Sequence, residues 1–230
     1  MYNMLLSENN NKKQKGDFKM TIYSPTEKKF IQGIKGSQTE ENLMRAFAGE
    51  SQARNRYTFA ASKAKKEKLH VIEAIFTFTA NQEKEHAEIF YDYLKESTGG
   101  TIFIDGGYPV DNYEDIRDLL MAAERNEYEE YGDVYKNFSL TAEREGFTAI
   151  AKAFANIAEI EKTHGDRFGN FARMIKEGTL FVSDVETGFI CLNCGYVYTG
   201  NEAPAQCPVC SHDRGYFIKA ELMPWIIPQK

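Results

Sequence analysis

From Ser37 to Glu177 apolar residues recur every three or four positions, the period of a helix with one buried face. The pattern predicts four long helices at roughly 38–66, 69–97, 112–145 and 147–177. Ser37 with Glu40 three residues on reads as a capping box opening the first. No sustained period precedes residue 36. From Gly178 onward the helical pattern stops, and GTLFVSDVETGF leads into a different kind of module.

The connection between helices two and three, TGGTIFIDGGYPVD at 98–111, has 14 residues and is rich in glycine. Fully extended it reaches about 46–50 Å, and a helix as long as the second spans roughly 43 Å. The loop can therefore run the length of a bundle and leave helices two and three parallel, while the other connections are short enough to force antiparallel neighbours. The expected fold is mainly α, a ferritin-like four-helix bundle with one long crossover.

Polar groups interrupt the inward stripes at mid-helix. Helix two steps through Ile72, Phe76, Thr79, Glu83, His86, Phe90 and Leu94, and helix four through Ile150, Phe154, Ile157, Glu161, His164, Phe168, Phe171 and Ile175. Helix one gives Leu43, Phe47, Glu50, Arg54 and Tyr57; helix three gives Ile116, Leu120, Ala123, Glu127, Glu130 and Val134. A bare buried carboxylate costs several kcal/mol, so such a set calls for a cation. Two E-x-x-H pairs with further glutamates from the other helices form the pattern of a dinuclear iron or manganese centre. The i, i+3 spacing puts each pair on one helix face. In helix three AERNEYEEY offers Glu124 with Glu127 or Glu127 with Glu130; the apolar steps lead onto Glu127 and Glu130. Glu85, Glu129 and Glu159 fall off their stripes and are expected in solvent, as is His70 at the start of helix two.

All four cysteines lie in CLNCGYVYTGNEAPAQCPVC, at Cys191, Cys194, Cys207 and Cys210. Two C-x-x-C knuckles make one tetrahedral S4 site for zinc or iron, which spacing alone does not distinguish. Four cysteines in 230 residues, all in such pairs, indicate metal in a reducing compartment, taken as the cytoplasm. The net charge of −6 with scattered Lys and Arg argues against a nucleic-acid partner, and no apolar run is long enough for a membrane span. The polar, Lys-rich N-terminus carries no secretory signal, and residues 1–33 are expected to be a flexible extension.

AFAGESQARNRY, QEKEHAE, EYEEYGDVY, IEKTH and the CLNCGY…CPVC tail together resemble the rubrerythrin family, over about residues 34–227. GESQARNRY is the most specific piece. The resemblance implies a di-iron domain at 34–180 and a rubredoxin-like domain at 181–230. It implies ligands Glu50, Glu83, His86, Glu127, Glu130, Glu161 and His164 for two irons, and one further iron held by the four cysteines. It further implies that Glu130 and His86 exchange on one iron, and that Tyr57 and Tyr135 hydrogen-bond ligand carboxylates. The activity implied is reduction of hydrogen peroxide to water, protecting against oxidative stress. Electrons would come through the Fe(Cys)4 site from a rubredoxin or an NAD(P)H-dependent reductase, within a head-to-tail homodimer. No G-x-G-x-x-G fingerprint is present, so the nicotinamide would bind elsewhere. Residues 1–33 have no counterpart in the resemblance. The competing reading is a ferroxidase or iron-storage protein with a structural zinc ribbon.

Overall fold

The computed structural model describes residues 33–223. The expected extension at 1–33 lies almost wholly outside that span. The first helix, α1, covers Gln38–Lys66, as the periodicity predicts. Its start is fixed by Ser37, whose hydroxyl accepts from the Glu40 N–H at 3.0 Å. The Glu40 carboxylate reaches back to the Gly36 N–H instead of that of Ser37, at 2.6 Å. A tight turn with Lys68 at φ +59° leads into α2, His70–Tyr93, which ends earlier than predicted and passes into a 3-10 turn at Lys95–Ser97.

The crossover lies along α1. Arg45 pairs with Asp105 at 2.8 Å, Arg56 with Asp111 at 2.7 Å and Lys63 with Glu114 at 2.5 Å. From Arg45 to Lys63 the helix rises about 27 Å, and the nine steps from Asp105 to Glu114 span at most about 30–32 Å. The loop is therefore nearly extended and delivers the chain to the opposite end of the bundle, as its length foretold.

The predicted third helix is not continuous. It begins as α3, Ile116–Glu129, with Asp115 as N-cap. A π-turn follows at Glu130–Val134, and the helix resumes as α4, Tyr135–Arg144. Across the π-turn the Tyr135 N–H bonds the Glu130 carbonyl, so residue 135 sits over residue 130. In an unbroken α-helix a five-residue step lands about 140° away. This explains why Tyr135 appears off the stripe in the sequence yet is 1 % exposed. The last helix, α5, covers Thr148–Glu177 and ends at Gly178 in the left-handed conformation, φ +69°. It lies close against α3 at Gly165 and Gly169; a Cβ on Gly169 would stand 2.0 Å from the Glu124 carboxylate. Glu124 is thus placed against α5, while Glu127 is buried in the interior and Glu130 is half-buried.

Two apolar clusters fill the bundle. One, around Leu43, Phe90, Phe154 and Ile157, occupies the end where α1 begins. The other, around Ile72, Phe76, Leu120 and Phe168, occupies the opposite end and takes in Leu180 and Ile218 from the tail. The tail is a three-stranded antiparallel sheet of β1 (Val182–Cys191), β2 (Val197–Glu202) and β3 (Phe217–Lys219), in the order β2-β1-β3. It seats on the bundle through Gly215, where a Cβ would lie 1.8 Å from the Lys68 carbonyl oxygen. Beside it Tyr216 stacks on His70, with ring centroids 3.9 Å apart. His70 is therefore a packing residue between bundle and tail, not the free surface residue that its place in the sequence suggests.

Candidate metal centres

Between the two apolar clusters lies a layer of charge. Glu50, Glu83, Glu127, Glu161, His86 and His164 are each at most 5 % exposed. Their donor atoms converge in two groups, Glu50–Glu83–His86–Glu161 and Glu83–Glu127–Glu161–His164, within 4.8 Å of one another. Glu83 and Glu161 belong to both. One oxygen of Glu161 lies 2.9 Å from His86 Nδ1 and the other 2.7 Å from His164 Nδ1. Glu83 does the same at 3.1 and 3.0 Å. The two imidazoles lie nearly parallel, 5.6 Å between centroids. Two carboxylates thus span a pair of positions, each position closed by one histidine and one terminal glutamate.

These contacts are close but not directed as hydrogen bonds. Among the described residues ten buried side-chain N or O atoms have no hydrogen-bond partner, and all but Arg117 Nε belong to these six residues. Atoms that face one another without pairing fit a common cation, which would accept their lone pairs together.

The crowding displaces the protonation of these groups. Burial, then Glu161, Glu130 and Glu83, push the Glu50 carboxyl well above its usual range. Burial and Glu83 raise Glu127 to about 8. Burial disfavours the His86 cation, but Glu161 and Glu83 outweigh it and raise His86 to about 10. Burial works the same way against His164, and Glu83 leads the carboxylates that lift it to about 12. Glu161 moves the other way, to about 2: burial raises it, but both histidines prevail.

Glu130 stands apart from both groups. It lies beside them, at the wall of a cleft of about 240 Å³ formed with Ala46, Gly49, Tyr108, Tyr135 and Phe138. Burial and the nearby Glu127, Glu161 and Glu83 raise its carboxyl well above the ordinary value. The tyrosines cross over between helices. Tyr57 of α1 donates to Glu127 Oε1 on α3, and Tyr135 of α4 donates to Glu50 Oε1 on α1 at 2.5 Å. Burial and the adjoining carboxylates hold both hydroxyls well above their usual pKa, so both remain phenols. Arg54 leaves its predicted stripe: it is exposed, and Ala53 takes the inward step between Glu50 and Tyr57. Glu85, Glu129 and Glu159 are exposed, as expected.

Two features were not foreseen. Arg167 of α5 turns toward α2, and Asp111 of the crossover receives Arg56 and Asn126 near the cleft, at 2.7 and 2.6 Å. For Arg167 the signal was present in its place one turn past His164 on the half-buried edge of α5.

In the tail, Cys191 Sγ lies 3.7 Å from Cys210 Sγ, and Cys194 Sγ 3.7 Å from Cys207 Sγ. All four sulfurs fall within 4.8 Å of one another. A tetrahedral ion with metal–sulfur bonds of about 2.3 Å requires edges of about 3.8 Å, so the sulfurs fit one ion and are too far apart for disulfides. The His212 backbone N–H helps lower Cys210 to about 6, toward the thiolate that a metal needs. Cys194 is exposed and Cys210 half-exposed, so one edge of the site faces solvent. No helix among the described residues is long and apolar enough to cross a membrane.

Comparison with known proteins agrees with this architecture. The rubrerythrin family profile matches residues 41–172, and the profile of the rubrerythrin rubredoxin-like domain matches 189–218. The rubrerythrin of Nitratidesulfovibrio vulgaris is 43 % identical over 187 residues, 81 % of this chain and 96 % of its own. That of Porphyromonas gingivalis is 44 % identical over 198 residues, 86 % and 96 % of the two chains. The structure of nigerythrin in a mixed-valence state superposes with a TM-score of 0.54 at 25 % identity, covering 84 % of this chain and 92 % of that one. Mycobacterium tuberculosis bacterioferritin, at 18 % identity and a TM-score of 0.54 over 61 % of this chain and 87 % of its own, shares the bundle fold. With two donor sets that fit a di-iron centre and an Fe(Cys)4 centre, the chain belongs to the rubrerythrin family.

Proposed function

We propose that this chain reduces hydrogen peroxide to water at the di-iron site, taking two electrons and two protons per peroxide. Residues 34–180 would hold the di-iron site, and residues 181–230 the iron that supplies electrons one at a time. The observation that carries the reading is Glu130, a further carboxylate at the cleft beside two four-donor groups, where it could serve as a seventh donor. Iron storage alone would need neither this extra carboxylate nor a second, electron-carrying centre.

In the cleft, Tyr135 and Glu130 share the wall that faces the donor layer. Iron held by these residues would supply the electrons for O–O cleavage; the chain supplies the setting. Glu83 and Glu161 fix the spacing of the two positions, and Tyr57 and Tyr135 hold Glu127 and Glu50 in orientation by hydrogen bonds. A carboxylate that swings from the cleft wall to one position would match a hard ferric ion, while the neutral imidazole of His86 suits the ferrous one. That exchange would make Glu130 the mobile member of the set. The apolar lining of Ala46, Val134 and Phe138 limits bulk water at the cleft.

Electron delivery favours a second copy. The tail packs at the bundle end beside His70, and Glu83 lies 13 residues further along α2, about 20 Å away. A head-to-tail dimer would place the tail of one protomer nearer the di-iron site of its partner. A rubredoxin or an NAD(P)H-dependent reductase in the cytoplasm would reload the four-cysteine iron at its exposed edge.

The test is stopped-flow absorbance on anaerobically reduced protein mixed with hydrogen peroxide. The expected result is fast return of ferric-thiolate colour, far faster than with dioxygen. Faster oxidation by dioxygen with accumulation of ferric mineral would transfer the assignment to a ferroxidase, and no colour would indicate zinc in the tail.

A further inference from the structure

Arg167 occupies an unusual position for a cation. It sits half-buried on α5, one turn beyond His164, and its guanidinium turns toward α2. There Nη1 donates to Thr79 Oγ1 at 2.8 Å and to Gln82 Oε1 at 3.0 Å. Its carbon lies 5.1 Å from the centre of the Phe78 ring. These three contacts are all neutral, and among the described residues no carboxylate forms an ion pair with it. On the same helix Gln82 immediately precedes Glu83 and Thr79 lies one turn before it, so both anchors hold the charge within a turn of the donor layer on α2 as well.

We propose that Arg167 is a positioning residue for charge: its fixed cation raises the reduction potential of the di-iron centre by favouring the ferrous over the ferric state. With Glu130 counted, five carboxylates leave the centre one charge negative when both ions are ferrous and one charge positive when both are ferric. A neighbouring cation is attracted to the first state and repelled by the second. Burial draws the guanidinium below its ordinary pKa, while Glu83, Glu127 and Glu161 pull it back up, which places those three carboxylates within its field. A guanidinium stays charged at working pH. The interaction runs through protein and not through bulk water, so salt screens it weakly.

Three variants separate charge from shape. Arg167→Gln keeps a hydrogen-bonding amide without charge, Arg167→Leu keeps neither, and Arg167→Lys keeps the charge on a different stem. The measurement is a spectroelectrochemical titration of the iron-loaded protein, with the Fe(Cys)4 centre of the same sample as an internal standard. The expected result is a lower di-iron potential in the Gln and Leu variants, by roughly tenfold in the one-electron equilibrium, about 59 mV. The Lys variant should stay near the parent and the Fe(Cys)4 potential should not move. Unchanged di-iron potentials in Gln and Leu would overturn the proposal, as would a drop in Lys equal to that in Gln, which would mean that shape alone matters. Thermal unfolding of metal-free protein gives a second readout if a variant loads iron poorly. Loss of the cation should then lower Tm in Gln and not in Lys, because Glu161, which stays ionised in the metal-free protein, loses a nearby favourable charge. Equal Tm values in all three would refute it. The inference rests on the di-iron centre and not on peroxide as substrate, so neither result bears on the other.

Discussion

The two metal sites of this chain are built on opposite plans. The four-cysteine site draws its donors from residues 191–210, on two knuckles within one small sheet, and leaves one edge exposed. The di-iron site draws on four helices and on residues as far apart as Glu50 and His164, all of them buried. A local thiolate site can organise the few residues around it. A dispersed carboxylate site can only form where a large apolar frame already forces its members together, since alone they repel. Metal is therefore expected to fold the tail and merely to relax the bundle.

Removing metal should break this comparison most visibly. Chelated protein should lose the tail's sheet, whose small core of Phe189, Ala203 and Phe217 is built around Cys191 and Cys207, while helix content by circular dichroism stays near the parent value. Collapse of both regions together would show that the bundle too depends on metal. Next in size is Cys207→Ser, which should abolish the ferric-thiolate colour and steady turnover with an external donor. A single oxidation of chemically reduced di-iron protein by peroxide should persist.

A third expectation sharpens the contrast through pH. In metal-free protein Glu127 is raised to about 8, His86 to about 10 and His164 to about 12. Groups raised in the folded state bind more protons there than when unfolded. Their stabilisation is complete below the unfolded values, near 4.3 for Glu and 6.5 for His, and is lost as pH rises through the folded ones. Glu161, lowered to about 2, acts oppositely and stabilises above its unfolded value, losing this as pH falls toward 2. Metal-free Tm should thus peak in mildly acid solution and fall steadily toward pH 10. Loaded protein, whose donors have given up those protons, should show a flatter profile. A metal-free Tm that rises over pH 6–10 would contradict the crowded-carboxylate picture.

Smaller effects follow from single contacts. Tyr135→Phe removes the hydroxyl that Glu50 accepts and should cost about 1–3 kcal/mol by chemical denaturation, with a loss of roughly 10–100-fold in iron affinity or peroxide rate. His70→Ala removes the stack on Tyr216 and should cost about 0.5–1.5 kcal/mol, seen as earlier exchange of tail amides with no change in the di-iron spectrum.

Much of this was legible beforehand, for identifiable reasons. Glu83 with His86 and Glu161 with His164 stand in register with Phe76, Phe90, Phe154 and Phe168, and a regular helix keeps such a register over its whole length. Residues 38–66 and the nearly extended crossover follow equally from period and reach. Where the helix is irregular the reading failed: the π-turn at Glu130–Val134 brings in Tyr135, and no periodic pattern announces the added residue. Arg54 was assigned to the core because a four-residue step from Glu50 was as admissible as the three-residue step to Ala53.

By itself, then, the sequence determined the bundle, its crossover, the two E-x-x-H pairs and the two cysteine knuckles. All of these depend on spacing along one chain. The tertiary structure alone decided that Glu83 and Glu161 each face both histidines, and that the two tyrosines serve carboxylates on other helices. It also decided that Arg167 reaches across to Thr79 and Gln82 on α2 and that His70 packs against the tail. Those are relations between helices, fixed by how side chains interlock across a packed interior, and periodicity along one helix holds no record of them.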